Sequence, residues 1–340
     1  RKSDLTYANL VSINLMNSDL RESNFKNAIL KDSNLKNANL TNSILENSDL
    51  TNADLSFSKL IKANIKDVVL DNTNFSSSDL TGANLMSSKK HITLMLRSYI
   101  EEMGILHVNP NANFSFAVLV KVKLKNLTLS QSSFYFADLS RADLSDVQFE
   151  NCNFSFANLT QVQLNNGSLS NCDLSNTNLT HAQLKNSSLF NCDLNNVNLT
   201  KADFSDSNLS GCSFNEVVLL ETKFLNVNLF SANIINVDFS EIPMDGVNLK
   251  HASFSNSNFL NVDFKGAFIS GTNFSGCNFK GCDFSGLNLV DVNFSNAKFI
   301  EVNFSGVIFT DVVFSGSEFT NTCLENCVFN EVDFSNSNFR

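Results

Sequence analysis

The side chains best able to do chemistry are eight cysteines and four histidines. Cys152, Cys172, Cys192 and Cys212 recur every 20 residues. A column of thiols could hold a soft metal as thiolates or cross-link into disulfides. Stacked side chains of this kind point alongside one another, however, which suits a bridge poorly. Neighbouring columns carry Ala, Ser, Thr or Val at the same place. The four are therefore read as small buried thiols that fill core volume. Cys277, Cys282 and Cys327 share that position, whereas Cys323 directly precedes Leu324 on an outward position and is the candidate reactive thiol. His91, His107, His181 and His251 are dispersed, with no Cys or acid at metal-ligand spacing. Catalysis needs convergent groups in a concave site. The reading is no catalytic residue, no metal, no cofactor, and no enzyme.

Aromatic residues form a second candidate. Phe116, Phe136 and Phe156 also recur every 20 residues, at one outward position, and Tyr135 is adjacent. Single exposed aromatics are unremarkable. Three in a column form an apolar patch that something should cover. The cover is either an intramolecular segment or a partner, and Phe116, Tyr135, Phe136 and Phe156 are the candidate partner-binding residues.

These columns exist because of a five-residue period. One register runs from Leu5 to Leu85 and another from Phe114 to Phe339. All 17 central positions of the first and all 46 of the second are Leu, Phe, Ile or Met, far beyond what a 43% hydrophobic chain gives by chance. Two residues before each centre stands a mostly small residue, such as Ser3, Ala8, Ser18 or Ala28, and the residue just before the centre is usually Asn or Asp. Each unit thus sends one large and one small side chain inward. Period five fits neither a helix of 3.6 residues per turn nor a long strand of period two. It fits a chain that turns a corner every five residues and pairs each short extended segment with the next coil. The 20-residue recurrence makes four units, and so four sides, per coil.

Units such as Ala38-Asn39-Leu40, Ala142-Asp143-Leu144, Ala157-Asn158-Leu159 and Ala202-Asp203-Phe204 resemble the pentapeptide-repeat proteins, whose motif is roughly A(D/N)LXX. The resemblance covers about nine tenths of the chain. It implies an all-β solenoid, a right-handed quadrilateral β-helix, and little about activity, because fold does not fix function.

Residues 86–110 break the register, dividing the chain into blocks 1–85 and 111–340. Ser87 or Ser88 could cap a helix ending near Gly104, with Ile92, Met95, Leu96, Tyr99, Ile100 and Met103 on one apolar face. Solenoid ends need covering, so this short helical insertion is expected to cap the second block near Ala112, with its end touching Phe116. In the second block, 15 of the 18 centres from Phe254 onward are Phe, at a spacing that favours ring stacking. Pro243 takes the usual Asn/Asp place, which predicts a local bulge.

Composition narrows the function. No run reaches the length that spans a bilayer as a helix, and no signal peptide stands at the start. The chain opens at Arg1, already inside the repeat, and reads as a fragment or processed chain. Net charge is −10, carried by residues 111–340. Without a broad basic surface, direct nucleic-acid binding is not expected. The resulting expectation is a structural or protein-interaction scaffold with flat polar faces and an unknown protein partner. The cytoplasm is the favoured compartment and a secreted effector the second choice. The resemblance also implies an alternative, a DNA mimic that binds DNA gyrase. Net −10 over roughly 55 Å of coil is far sparser than one charge per ~1.7 Å of duplex, which argues against it.

Overall fold

The computed structural model describes residues 1–85 and 111–340. They form two compact units, Arg1–Gln183 and Leu184–Arg340. The expected helical insertion at 86–110 lies outside the described residues.

Both units are parallel β-solenoids built from one repeating device, which the unit Asn24–Ala28 illustrates. Asn24 N donates to Ser3 O in the preceding coil at 2.9 Å, and Phe25 N and Asn27 N donate to Ile44 O and Glu46 O in the following coil at 2.6 and 3.0 Å. Ala28 N closes a four-residue turn onto Phe25 O at 2.9 Å. The remaining donor, Lys26 N, is taken by the Asn24 side-chain Oδ1 at 3.1 Å. All five N–H groups of the unit are therefore satisfied, as buried backbone requires. The Asn/Asp before each centre has a structural job, since its short carboxyl or amide oxygen reaches the N–H two residues on. Each turn places its third residue at positive φ, as in type II turns. Asn27 (φ 58°), Asn37 (57°) and Asn47 (58°) are examples.

In the first unit, successive coils pair in a continuous column, Asp4–Asn24–Ile44–Asn64–Asn84–Lys123–Asp143–Gln163–Gln183. One side develops into strands β1 (Thr128–Ser130), β2 (Gln148–Glu150) and β3 (Ser168–Ser170), parallel, with Leu129, Phe149 and Leu169 in register. The column passes straight over the interruption. Asn74 pairs with Asn113, Asp79 with Val118 and Asn84 with Lys123, so three of the four sides continue without a break. The fourth side carries Leu70 before the interruption and Leu129 after it.

This corrects the expectation that the coil beginning near Ala112 needs a cap. Phe75 N donates to Asn113 O at 2.6 Å, the Phe75 and Phe114 rings stack at 4.9 Å, and Ala112 is buried. The preceding coil already covers that surface, because the chain re-enters in register on three sides.

In the second unit, β4 (Ser213–Asn215) pairs with β5 (Asn233–Ile235). Strands β6 (Asn258–Leu260), β7 (Asn278–Lys280), β9 (Lys298–Ile300), β11 (Glu318–Thr320) and β13 (Asn338–Phe339) form one parallel sheet. Strands β8 (Asn288–Val290), β10 (Ile308–Thr310) and β12 (Val328–Asn330) form another. The core is a ladder of rings. Phe264, Phe284 and Phe304 stack at 4.2 and 5.0 Å, and Phe279, Phe299 and Phe319 at 5.3 and 4.9 Å. Pro243 produces no bulge. The bridge at that place is lost with its N–H, but Met244 stays buried and Glu241 and Gly246 keep the positive φ of their corners. The turns on either side hold the register.

Candidate functional site, an aromatic corner of the solenoid

The thiols behave as core hydroxyls. Cys277 Sγ donates to Phe254 O at 2.7 Å and Cys212 Sγ to Leu189 O at 2.9 Å. Thr222 and Thr272 Oγ1 make the same bond to Leu199 O and Leu249 O, both at 2.8 Å, and Ser317 Oγ to Phe294 O at 2.7 Å. Cys, Thr and Ser are thus interchangeable donors to the carbonyl of a centre in the neighbouring coil. Burial pushes the Cys277 thiol up to about 12 and the Cys282 thiol up to about 11, away from the thiolate needed for nucleophilic or metal chemistry. None of the eight cysteines is in a disulfide; Cys323 and Cys327 are half-buried and the others buried. His181 and His251 occupy corners at φ 60° and 57°, and His91 and His107 lie outside the described residues. Among the described residues no group of three or more His, Cys, Asp or Glu gathers as metal ligands, and no helix is long and apolar enough to cross a membrane.

The aromatic stripe is brought together. Phe116, Phe136 and Phe156 occupy one corner in three successive coils, with rings stacked at 5.6 and 4.8 Å. Tyr135 stands edge-on to all three, at 5.5, 4.8 and 5.9 Å. The three Phe rings remain 54%, 48% and 44% exposed. Each sits at the turn position of positive φ, 58°, 54° and 62°. A bulky side chain there is a genuine outlier, costing on the order of 1–3 kcal/mol, of which each stacked pair returns about 0.5–1.5 kcal/mol. In the same column Asn37 and Asn176 hold the same turn at φ 57° and 59°, with a side chain that tolerates it. The turn therefore has no need of Phe.

One further member went unseen in the sequence. Phe57 occupies the same column, half-exposed at φ 59°, with Lys36 Nζ 5.5 Å from its ring centroid. Counting back from Phe116 in steps of 20 misses it, because the interruption shifts the numbering. The backbone restores the column, with Ser77 N donating to Ser115 O at 2.8 Å. Val118, two residues after Phe116 on the adjoining side, is also exposed.

The family described as "Pentapeptide repeats" matches in 8 copies, at residues 1–37, 28–67, 48–86, 110–146, 207–242, 244–281, 277–316 and 314–340, and a "Pentapeptide repeat region" matches residues 142–224. Among solved structures, HetL, a pentapeptide repeat protein involved in heterocyst differentiation regulation from the cyanobacterium Nostoc sp. strain PCC 7120, is 23% identical. That match covers 66% of this chain and 86% of HetL, with a TM-score of 0.37. A trypsin-treated variant of QnrB1, a plasmid-mediated fluoroquinolone resistance protein, is 19% identical over 66% of this chain and 91% of its own, with a TM-score of 0.25. A pentapeptide repeat protein from the Arabidopsis thaliana thylakoid lumen is 26% identical over 40% of this chain and 67% of its own, with a TM-score of 0.17. No curated protein matches the chain.

Proposed function

Since the chain belongs to the pentapeptide-repeat family, we propose that it is a non-enzymatic scaffold that binds a protein partner, and that Phe116, Tyr135, Phe136 and Phe156 form the contact. One observation carries this reading. Three Phe side chains hold a strained turn position that Asn176 fills in the next coil, and their rings stand half in solvent. Strained residues persist where the surrounding structure over-determines them, and they cluster at binding sites. Partly exposed aromatic clusters are the usual anchors of protein interfaces.

The test separates stability from binding. The double variant Phe136→Asn with Phe156→Asn should keep its fold, with a stability change within about 1 kcal/mol, since strain relief offsets lost stacking. A photo-crosslinking amino acid at position 136 should give a discrete adduct in the source cells, and one at position 166, on the diagonally opposite corner, should not. No adduct at 136, or equal adducts at both, would sink the proposal. A gyrase supercoiling assay separates it from DNA mimicry; inhibition of supercoiling at stoichiometric protein would favour the mimic.

A further inference from the structure

The aromatic corner borders one flat side of the first unit, and the opposite border of that side is basic. Across this side a corner aromatic is followed five residues later by a corner cation in three coils, Phe57 with Lys62, Phe116 with Lys121, and Phe136 with Arg141. The coils are contiguous on this side, pairing in the order Lys59–Asp79–Val118–Asp138–Asn158. From Phe57 to Gln161 the side carries the cations Lys59, Lys62, Lys121 and Arg141 against the carboxylates Asp79 and Asp138, in a chain of net charge −10. The four cations are exposed, and none makes an ion pair among the described residues; Arg141 Nε donates only to Gln161 Oε1, at 2.9 Å. Both carboxylates are engaged locally. Asp79 Oδ1 accepts from Thr81 N and Oγ1 at 3.0 and 2.6 Å, and Asp138 Oδ1 from Ser140 N and Asn158 Nδ2, both at 3.0 Å.

Resting on the reading of the corner as a partner contact, we infer that this side takes an acidic segment of a protein partner that carries apolar side chains, the latter against Phe116, Phe136 and Phe156 and the carboxylates toward Lys121 and Arg141. Charge complementarity selects the partner, because unpaired cations on an otherwise acidic molecule attract opposite charge and repel basic surfaces. Single-stranded nucleic acid, the other polymer that combines negative charge with stacking groups, fits less well. Its bases need open ring faces, whereas four of the six faces in the Phe116–Phe136–Phe156 stack are spent on one another, at interplanar angles of 8° and 4°. What the corner mainly offers is ring edges, which suit aliphatic packing.

The experiment measures fluorescence anisotropy of labelled probes against the whole chain. The probes are a 12-residue peptide alternating Glu and Leu, its counterpart alternating Lys and Leu, and a 12-nucleotide oligo-dT. The Glu–Leu peptide should bind and the other two should not, and its affinity should fall several-fold, on the order of fivefold, between low and moderate salt. Lys121→Glu with Arg141→Glu should weaken it by about tenfold or more, as should Phe136→Asn with Phe156→Asn. Glu already stands at equivalent corners, Glu216 and Glu221 at φ 56°, so the charge reversal keeps the turn. No binding of the Glu–Leu peptide, or binding of the Lys–Leu peptide or oligo-dT at equal strength, overturns the inference. If the Phe changes abolish binding and the charge reversal leaves it intact, the aromatic contact stands and the acidic partner falls. If the Phe changes leave binding intact, the aromatic contact itself is wrong.

Discussion

The side-chain Oδ1 of Asn191 lies over Gly211 of the next coil, 2.0 Å from the place a Cβ on Gly211 would occupy. Both residues hold positive φ, 55° and 71°. Gly286 holds the same conformation at 70°, with nothing within 4 Å of its missing Cβ. Gly286→Ala should therefore cost only the left-handed backbone term, about 1 kcal/mol. Gly211→Ala should cost clearly more, because the Asn191 amide must also swing away. Adding Asn191→Gly should return the second variant to the level of the first. Denaturant melts of the four proteins check this, and equal losses for the two single Ala variants would show that Asn191 yields freely.

The Phe ladder predicts a large difference between core positions. Phe284 is fully buried, with Phe264 and Phe304 at 4.2 and 5.0 Å. Phe284→Ala should cost about 3–5 kcal/mol, since hydrogen-bonded neighbouring coils cannot collapse into the cavity. Cys192→Ala removes one sulfur from a small inward slot and should cost about 1 kcal/mol. Thermal or chemical melts that give equal losses would reverse the assignment of large and small inward positions.

Within the second unit, thiol chemistry should be confined to one end. Burial raises Cys277 to about 12 and Cys282 to about 11, so neither forms thiolate near neutrality. Cys323 is half-exposed. Brief iodoacetamide treatment of native protein at pH 8, followed by peptide mass spectrometry, should label Cys323 and leave Cys277 and Cys282 unmodified. Early labelling of Cys277 would mean that the core opens far more readily than its packing indicates.

Asp203 predicts a response to acid. Burial opposes its ionisation, but hydrogen bonds from the Ser205 side chain and backbone and from Lys185 outweigh burial and hold the carboxyl below its ordinary value of 3.8. Lys185 and Lys223 Nζ lie 3.3 and 3.7 Å from Oδ2. A depressed folded value stabilises fully above the unfolded one and is lost as pH falls through the folded one. The stability gap between the wild type and Asp203→Asn should be constant from pH 7 to about 5 and shrink below about 4. Asn fills this place in many units, so the substitution tests the charge alone. A gap that widens on acidification would contradict the assignment.

Much of the architecture was legible in the chain. A five-residue period leaves room for one large inward side chain per unit, so Leu5 to Leu85 and Phe114 to Phe339 had to face the core, and the 20-residue recurrence of the Cys and Phe columns implied four sides. The reason for Asn or Asp before each centre was not legible. It depends on Oδ1 meeting an N–H two residues on, as Asn24 meets Lys26, and a repeat pattern records that a residue recurs without recording what it bonds.

Which positions face inward and which outward follows from the chain's own five-residue period. Which distant residues share a side follows from the pairing of coils. Residues 86–110 shift the count, so no step of 20 along the chain puts Phe57 in one column with Phe116 or Lys62 in one column with Lys121. The hydrogen bonds Phe75 N to Asn113 O and Ser77 N to Ser115 O do so. In a solenoid the partners of each coil are set by backbone pairing between coils, and that pairing is indifferent to how much chain lies between them.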